Sequence, residues 1–278
     1  MPAQRLVRPA CRWAWRWKWT RSLLFAPLDR WRAPPPRPEK VAWLGQWEYA
    51  HRGLHSVGVP ENSPSAFAAA KARGLGIECD VQRSRDGQAA VFHDAALDRL
   101  TGEQGPLAAR TAAELGQVVL TGSSDTIPTL RQLLEQLGGT VPVLIEIKTQ
   151  RHDGARASAL CLAVRRALEG YLGPHAVMSF DPRVIHWFAV HSALTVRGLV
   201  VTEEDGKALP GMIKRRLSLW HARPDFLAYD IRDLPSRFAA TQRKRGLPVL
   251  TWTVRSAEHR ARAAQYADAP IAEGAGVA

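Results

Sequence analysis

From residue 40 onward, short apolar runs alternate with longer segments whose apolar residues recur at helical spacing. The runs cover residues 48–51, 76–81, 89–93, 143–147, 176–179, 196–201, 226–229, 248–254 and 270–272, and their length and β-branched content read as strands. Between them lie helical patterns at 63–73, 129–137, 155–172, 182–191, 235–245 and 256–266. Ser63 suits the cap of the first helix and Pro64 its first turn, where the missing N–H of proline leaves no bond unmade. Strand, helix, strand repeated over this length predicts an α/β chain closed as a parallel barrel.

One connection breaks the rhythm. Only residues 82–88, with Asp86-Gly87 as a turn, separate the second and third runs, whereas parallel neighbours need a crossover of about a dozen residues or more. No helix is expected there, with a hairpin as an option, and nine candidate strands are one more than eight staves hold. Residues 95–127, rich in Thr, Gly and polar positions, read as a small lobe inserted after the third strand. The barrel domain is placed at residues 40–278.

Charge changes the picture mainly at the N-terminus. The formal charge is 38 minus 26, or +12, and residues 1–40 hold ten Lys/Arg against Asp29 and Glu39. The basic element is therefore residues 1–39, and the body carries no charge excess of the kind that marks a nucleic-acid surface. Within the tail, Trp13, Trp15, Trp17 and Trp19 alternate with Arg and Lys. Extended, the four indoles share one face, and indole with guanidinium suits a membrane interface. An unstructured extension is the alternative. The run 34–38, four prolines and Arg37, breaks any helix and reads as a stiff linker.

Cys11, Cys79 and Cys161 are too far apart for a disulfide framework or a zinc motif and fit a reducing compartment. No stretch approaches the ~20 apolar residues that span a bilayer, and residues 23–28 make a poor signal peptide. The expected location is cytoplasmic, with peripheral contact at the inner face of the membrane as an option opened by the tail.

Charged and imidazole residues gather at the ends of four runs: His51-Arg52, Glu78-Cys79-Asp80, His93-Asp94 and Glu146-Ile147-Lys148. Strand C-termini are where barrel active sites are built. At period 2, Glu78 and Asp80 share a face, as do Glu146 and Lys148, while Cys79 turns into the helix layer. Three carboxylates converging in a narrow barrel are expensive unless paired or metal-bound, so Glu78, Asp80 and Glu146 read as ligands of a hard divalent ion, Mg²⁺ or Ca²⁺. Arg52 and Lys148 are then placed to hold a phosphate, and His51 and His93 to act as general base and general acid. His55, His152, His175, His186, His191, His221 and His259 lack such context and read as surface or structural, and Asp181 as a helix cap. Trp252 alone reads as core.

The run 50–102 resembles the glycerophosphodiester phosphodiesterase family of the phospholipase-C-like phosphodiesterases. The resemblance rests on Ala-His-Arg-Gly at 50–53, Pro-Glu-Asn-Ser at 60–63, Glu-Cys-Asp-Val at 78–81 and His-Asp at 93–94. Further matches are Ile-Pro-Thr-Leu at 127–130, Glu-Ile-Lys at 146–148, Ser-Phe-Asp at 179–181 and Thr-Trp-Thr-Val at 251–254. It implies a distorted (β/α)8 TIM barrel and metal-dependent cleavage of a glycerophosphodiester to glycerol 3-phosphate and an alcohol. By position, His51 and His93 resemble the acid/base pair, Arg52 and Lys148 the phosphate contacts, and Glu78, Asp80 and Glu146 the metal ligands. Glu61 resembles a residue that orients a catalytic histidine, Asn62 a brace for the loop, and Trp252 a wall for the alcohol side of the substrate. The sequence departs from the pattern at the last strand, where Ile-Ala-Glu-Gly at 271–274 replaces the usual Ile-Thr-Asp-Arg-Pro. Two rivals are a lysophospholipase D acting at a membrane surface, favoured by the tail, and a catalytically silent barrel that binds phosphodiesters, disfavoured by the intact polar set.

Overall fold

The computed structural model describes residues 25–149, 154–204 and 209–278. Tail residues 1–24 and His152 lie outside them. Eight strands run parallel: β1 (Tyr49–Ala50), β2 (Gly76–Arg83), β4 (Val143–Ile147), β5 (His175–Ser179), β6 (Val196–Val201), β7 (Phe226–Asp230), β8 (Val249–Val254) and β9 (Ala269–Ala272). β1 pairs with both β9 and β2, which closes the sheet into a barrel. The remaining strand, β3 (Ala89–Val91), pairs antiparallel to the upper end of β2. The hairpin is present because five residues cannot carry a crossover.

Ten helices are described: α1 (Ala26–Arg32), α2 (Pro38–Val41), α3 (Pro64–Ala72), α4 (Ala112–Leu115), α5 (Leu130–Leu137), α6 (Gly154–Ala167), α7 (Pro182–His191), α8 (Leu209–Ala222), α9 (Arg237–Lys244) and α10 (Ala257–Tyr266). Their starts follow capping chemistry: the hydroxyl of Ser63 accepts from the Ala66 N–H at 3.1 Å, and Thr129 and Gln132 form a reciprocal capping box. Asp181 caps α7 by accepting from Arg183 N–H at 2.9 Å, as expected. The sequence pattern did not reveal α8, because its apolar positions divide between two faces and Pro210-Gly211 open it. Proline is tolerated there because the first-turn N–H has no intrahelical partner.

Alternation along the strands separates two apolar layers. Cys79, Ile145, Val177, Leu199, Leu227 and Val249 point outward and pack under the helices. Tyr49, Leu144, Ala176, Met178, Phe226, Leu250 and Ile271 point into the barrel. Large and small residues alternate so that the interior fills without a pore: a Cβ on Gly198 would collide with the ring of Phe226, and one on Gly76 with Tyr49. Val41, Leu44, Trp43 and Trp47 join this inner cluster and plug the N-terminal end. The inserted segment after β3 has its own small core of Phe92, Leu97, Leu107, Leu115, Val118, Leu120 and Ile127.

Packing begins before residue 40. Helix α1 lies against α8 and α9, and Asp29, with no exposed surface, accepts from Arg216 at 2.9 Å, Trp220 Nε1 at 2.9 Å and Gln242 at 3.2 Å. A buried carboxylate is tolerated when fully hydrogen-bonded and paired. Residues 26–39 are thus built into the barrel's flank, further toward the N-terminus than the boundary expected from the proline run.

Candidate active site

The site forms where β1, β2, β4 and β9 end. Register places Asp80 beside Glu146 across the β2–β4 pair, and Glu78 lies two residues earlier on the same face. All three are buried, and an oxygen from each lies within 4.8 Å of the others. Lys148, two residues beyond Glu146, places Nζ 2.6 Å from Glu146 Oε1 and 2.9 Å from Asp80 Oδ1. Arg52 Nε approaches Asp80 Oδ2 at 3.3 Å.

Three carboxylates face two cations, and the surplus falls on Glu78. Burial first, then the charges of Asp80 and Glu146, push its carboxyl well above the ordinary range. Burial also raises Glu146. At Asp80 burial works the same way, but Lys148 and Arg52 outweigh it and hold the group below its usual value. Lys148 is raised despite burial, because Glu146 and Asp80 flank it. An oxygen-only set that is short of positive charge fits a hard divalent cation, and does not by itself separate Mg²⁺ from Ca²⁺.

The turn after β1 is held by its backbone. Arg52 has φ 54° and Gly53 φ 77°, and a Cβ on Gly53 would press on Ala66 at 2.9 Å. This left-handed turn costs about 1–3 kcal/mol at a non-glycine residue. It aims the Arg52 N–H at Glu78 Oε2, 3.0 Å away.

Two histidines flank the carboxylates, each oriented by its own acid. His51 bonds through Nδ1 to Glu273, which follows β9, and its Nε2 lies 4.0 Å from Glu78. Glu273 also approaches His55 Nε2 at 3.6 Å and Arg255 Nε at 2.5 Å. His93 bonds through Nδ1 to Asp94 at 2.6 Å. Pinning one ring nitrogen sets which nitrogen faces the site. Burial lowers both imidazoles below their ordinary value, with Glu273 opposing at His51 and Asp80 at His93.

Glu61 differs from its expected place. It touches neither histidine: Oε1 accepts from Arg52 and from Arg99, both at 2.7 Å. Arg99 in turn donates through Nε to Asp94 at 2.5 Å, so Glu61 reaches His93 only through Arg99 and Asp94. The direct orienting acids are Asp94 and Glu273. Asn62 also does more than brace its loop. It donates to Asp80 Oδ2 at 2.9 Å and accepts from the Asp80 N–H at 3.2 Å. His55, read as structural, stands beside Glu273 at the rim.

Trp252 sits across the mouth from the carboxylates. Its Nε1 donates to Ala228 O at 3.0 Å, and its ring meets Phe180 edge-on at 5.4 Å. Together they make an apolar wall. On the other side, a groove of about 480 Å³ runs from His93 and Lys148 past Gln82, Arg83 and Thr149 to Leu160.

Sequence and structure comparisons agree with this geometry. The model of the glycerophosphoryl diester phosphodiesterase family matches residues 51–272. The chain belongs to that family. The match starts at His51 and ends one residue before Glu273, so the family region encloses the carboxylates and both histidines. A glycerophosphodiester phosphodiesterase of Caldanaerobacter subterraneus subsp. tengcongensis is 39% identical over 108 residues, 36% of this chain and 44% of that relative. One from Bacillus altitudinis is 36% identical over 107 residues, 36% of this chain and 43% of that relative. These alignments span less than half the length of the relatives. Among solved structures, an Oleispira antarctica phosphodiesterase in complex with the product sn-glycerol-3-phosphate has TM-score 0.71 at 24% identity, over 81% of this chain and 92% of that one. The glycerophosphodiester phosphodiesterase of Thermotoga maritima has TM-score 0.64 at 26% identity, over 81% and 92%. The (β/α)8 barrel is the shared frame.

Proposed function

We propose that this protein hydrolyses small glycerophosphodiesters to glycerol 3-phosphate and an alcohol, with Glu78, Asp80 and Glu146 holding Mg²⁺ or Ca²⁺. The observation that carries the reading is the carboxylate cluster set between two histidines, each fixed by its own acid. A relative in fold crystallised with glycerol 3-phosphate supports the product class. Bound there, the cation would offset the surplus negative charge and draw electron density from the phosphoryl group.

The chain's own groups supply the remainder. Arg52 and Lys148 stand around the carboxylates and stabilise charge that builds on phosphate oxygens during attack. Of His51 and His93, one takes the proton of the attacking hydroxyl, that of water or that on the neighbouring glycerol carbon; the latter closes a cyclic phosphate that a water then opens to glycerol 3-phosphate. The other returns a proton to the departing oxygen. Both imidazoles are held below their ordinary pKa, which keeps a neutral base available near neutral pH. The carboxylates of Glu273 and Asp94 fix the rings and stabilise each imidazolium as it forms. Trp252 and Phe180 offer a flat apolar face to the part of the substrate that is not phosphate.

Work in a reducing, cytoplasmic setting is part of this proposal, supported by the free buried thiols of Cys79 and Cys161. Among the described residues no helix is long and apolar enough to cross a membrane. The test is release of glycerol 3-phosphate from glycerophosphocholine, glycerophosphoethanolamine and glycerophosphoglycerol, beside lysophospholipids, by wild type and His51→Ala. Turnover of the soluble diesters that His51→Ala abolishes is the expected result. Turnover confined to lysophospholipids would move the substrate class to lipids, and no turnover of any substrate would overturn the reading.

A further inference from the structure

Helix α8 presents an apolar face that no described residue covers. Leu209, Ile213 and Leu217, spaced four apart and so aligned along one side, are between 49% and 59% exposed. With Pro182, Pro210 and Lys214 they line an open groove of about 590 Å³. Met212 is exposed beside them. Soluble surfaces rarely leave so many large apolar residues together without a partner. The groove begins near the mouth, where Pro182, Leu209 and Pro210 open the helices that follow β5 and β6, and runs down the flank of the barrel along α8 to Leu217 and His221.

Charge and chain path narrow the partner. Among the described residues that line the groove there is no carboxylate, and Lys214 supplies positive charge. On the adjacent α1, Trp31 is the most exposed aromatic residue described there and carries the Arg32 guanidinium 4.1 Å above its ring, with Arg30 and Leu28 also outward. The only acid of α1, Asp29, is turned inward to Arg216. The chain enters this region at Phe25, whose ring lies 6.5 Å from Trp220 and beneath Arg216 at 4.2 Å. Both contacts are on α8 itself. The 24 residues before Phe25 include Trp13, Trp15, Trp17 and Trp19 interleaved with Arg12, Arg16 and Lys18.

We propose that the Leu209, Ile213 and Leu217 face of α8, flanked by Lys214 and by Trp31 and the arginines of α1, docks on an anionic lipid surface along the flank of the barrel. Apolar side chains enter the acyl boundary, tryptophans sit at headgroup level, and cations meet anionic headgroups. A second copy of the chain is the weaker occupant, because two copies of one cationic face would repel.

The test uses the full chain and vesicles of phosphatidylglycerol with phosphatidylcholine, or of phosphatidylcholine alone. Wild type should sediment with the anionic vesicles, less so as salt is raised, and weakly with neutral ones. Ile213→Asp with Leu217→Asp should weaken anionic-vesicle binding tenfold or more while turnover of soluble glycerophosphoglycerol stays unchanged. That turnover reads the catalytic proposal independently, since neither residue belongs to the site. If the double variant does not fold, Lys214→Glu alone should weaken binding severalfold and its salt dependence should flatten. Vesicle binding equal to wild type in the folded variants would overturn the proposal. So would no vesicle binding by wild type, or a wild-type dimer in the ultracentrifuge that the double variant dissolves.

Discussion

The two halves of the barrel mouth are built from different strands of one sheet and do opposite things. Where β1, β2, β4 and β9 end, the inward positions are His51, Glu78, Asp80, Glu146, Lys148 and Glu273, the first four buried, with His51 bonded to Glu273 and Lys148 to Asp80 and Glu146. Where β5, β6 and β8 end, they are Met178, Phe180, Val200 and Trp252, and at the end of β7 between them the one buried carboxylate, Asp230, is already paired with Arg232 at 2.6 Å. The first half holds charge at an energetic cost that packing does not return, and the second is ordinary apolar wall. Under the proposed function, the charged half serves the chemistry and the apolar half recognition.

The largest effect should come from breaking the charged half at its least compensated member. Glu78→Gln is expected to lower kcat about a thousandfold or more, which corresponds to about 4 kcal/mol of transition-state stabilisation. The same variant should melt higher than wild type at neutral pH in chelator. The sign follows from the raised pKa of Glu78. Ionising it costs the folded state as pH rises above the ordinary carboxylate value of about 4.3, and glutamine removes that cost. The gain should shrink toward zero at acid pH. A lower melting temperature across the range would show that the cluster stabilises the fold, contrary to this account.

Next in size, His93→Ala should cost about a hundredfold to ten-thousandfold in kcat with little change in stability. Glu273→Gln should cost about tenfold to a hundredfold and also move a pH limb. Glu273 raises the His51 pKa against burial, so the limb of kcat/KM that His51 sets should shift to lower pH in the variant. A limb that stays in place, measured from pH 4 to 8, would show that Glu273 acts only on local packing. The smallest effect is expected from the apolar half: Trp252→Ala should raise KM about tenfold with kcat within about threefold, as for a wall that binds ground state and transition state alike.

Much of this was legible from the chain because it depends on local period. The strand runs, the hairpin forced by residues 82–88, and the shared face of Glu78 with Asp80 all follow from spacing. What escaped the sequence depends on closure. Glu273 meets His51 across 222 positions, at the one seam where the family pattern is broken, and only the closed barrel brings β9 beside β1. Asp29 finds Arg216 across 187 positions, so the start of the packed structure was read too late. Glu61 and Asn62 were noticed, but their partners depend on how the left-handed turn at Arg52 folds over β2, and no linear pattern encodes that. Arg99 lies inside the expected lobe, and no local spacing there points to its partners Glu61 and Asp94.

The central claim is that the charged half hydrolyses a glycerophosphodiester with the help of a cation held by its three carboxylates. It is tested most directly by following glycerol 3-phosphate release from glycerophosphoglycerol as Mg²⁺ or Ca²⁺ is added back to chelator-stripped enzyme, for wild type and Glu78→Gln. The account predicts no release in chelator, saturable recovery in wild type with one of the two ions, and no recovery in Glu78→Gln at any concentration. Full release in chelator, or equal recovery in both proteins, would contradict it.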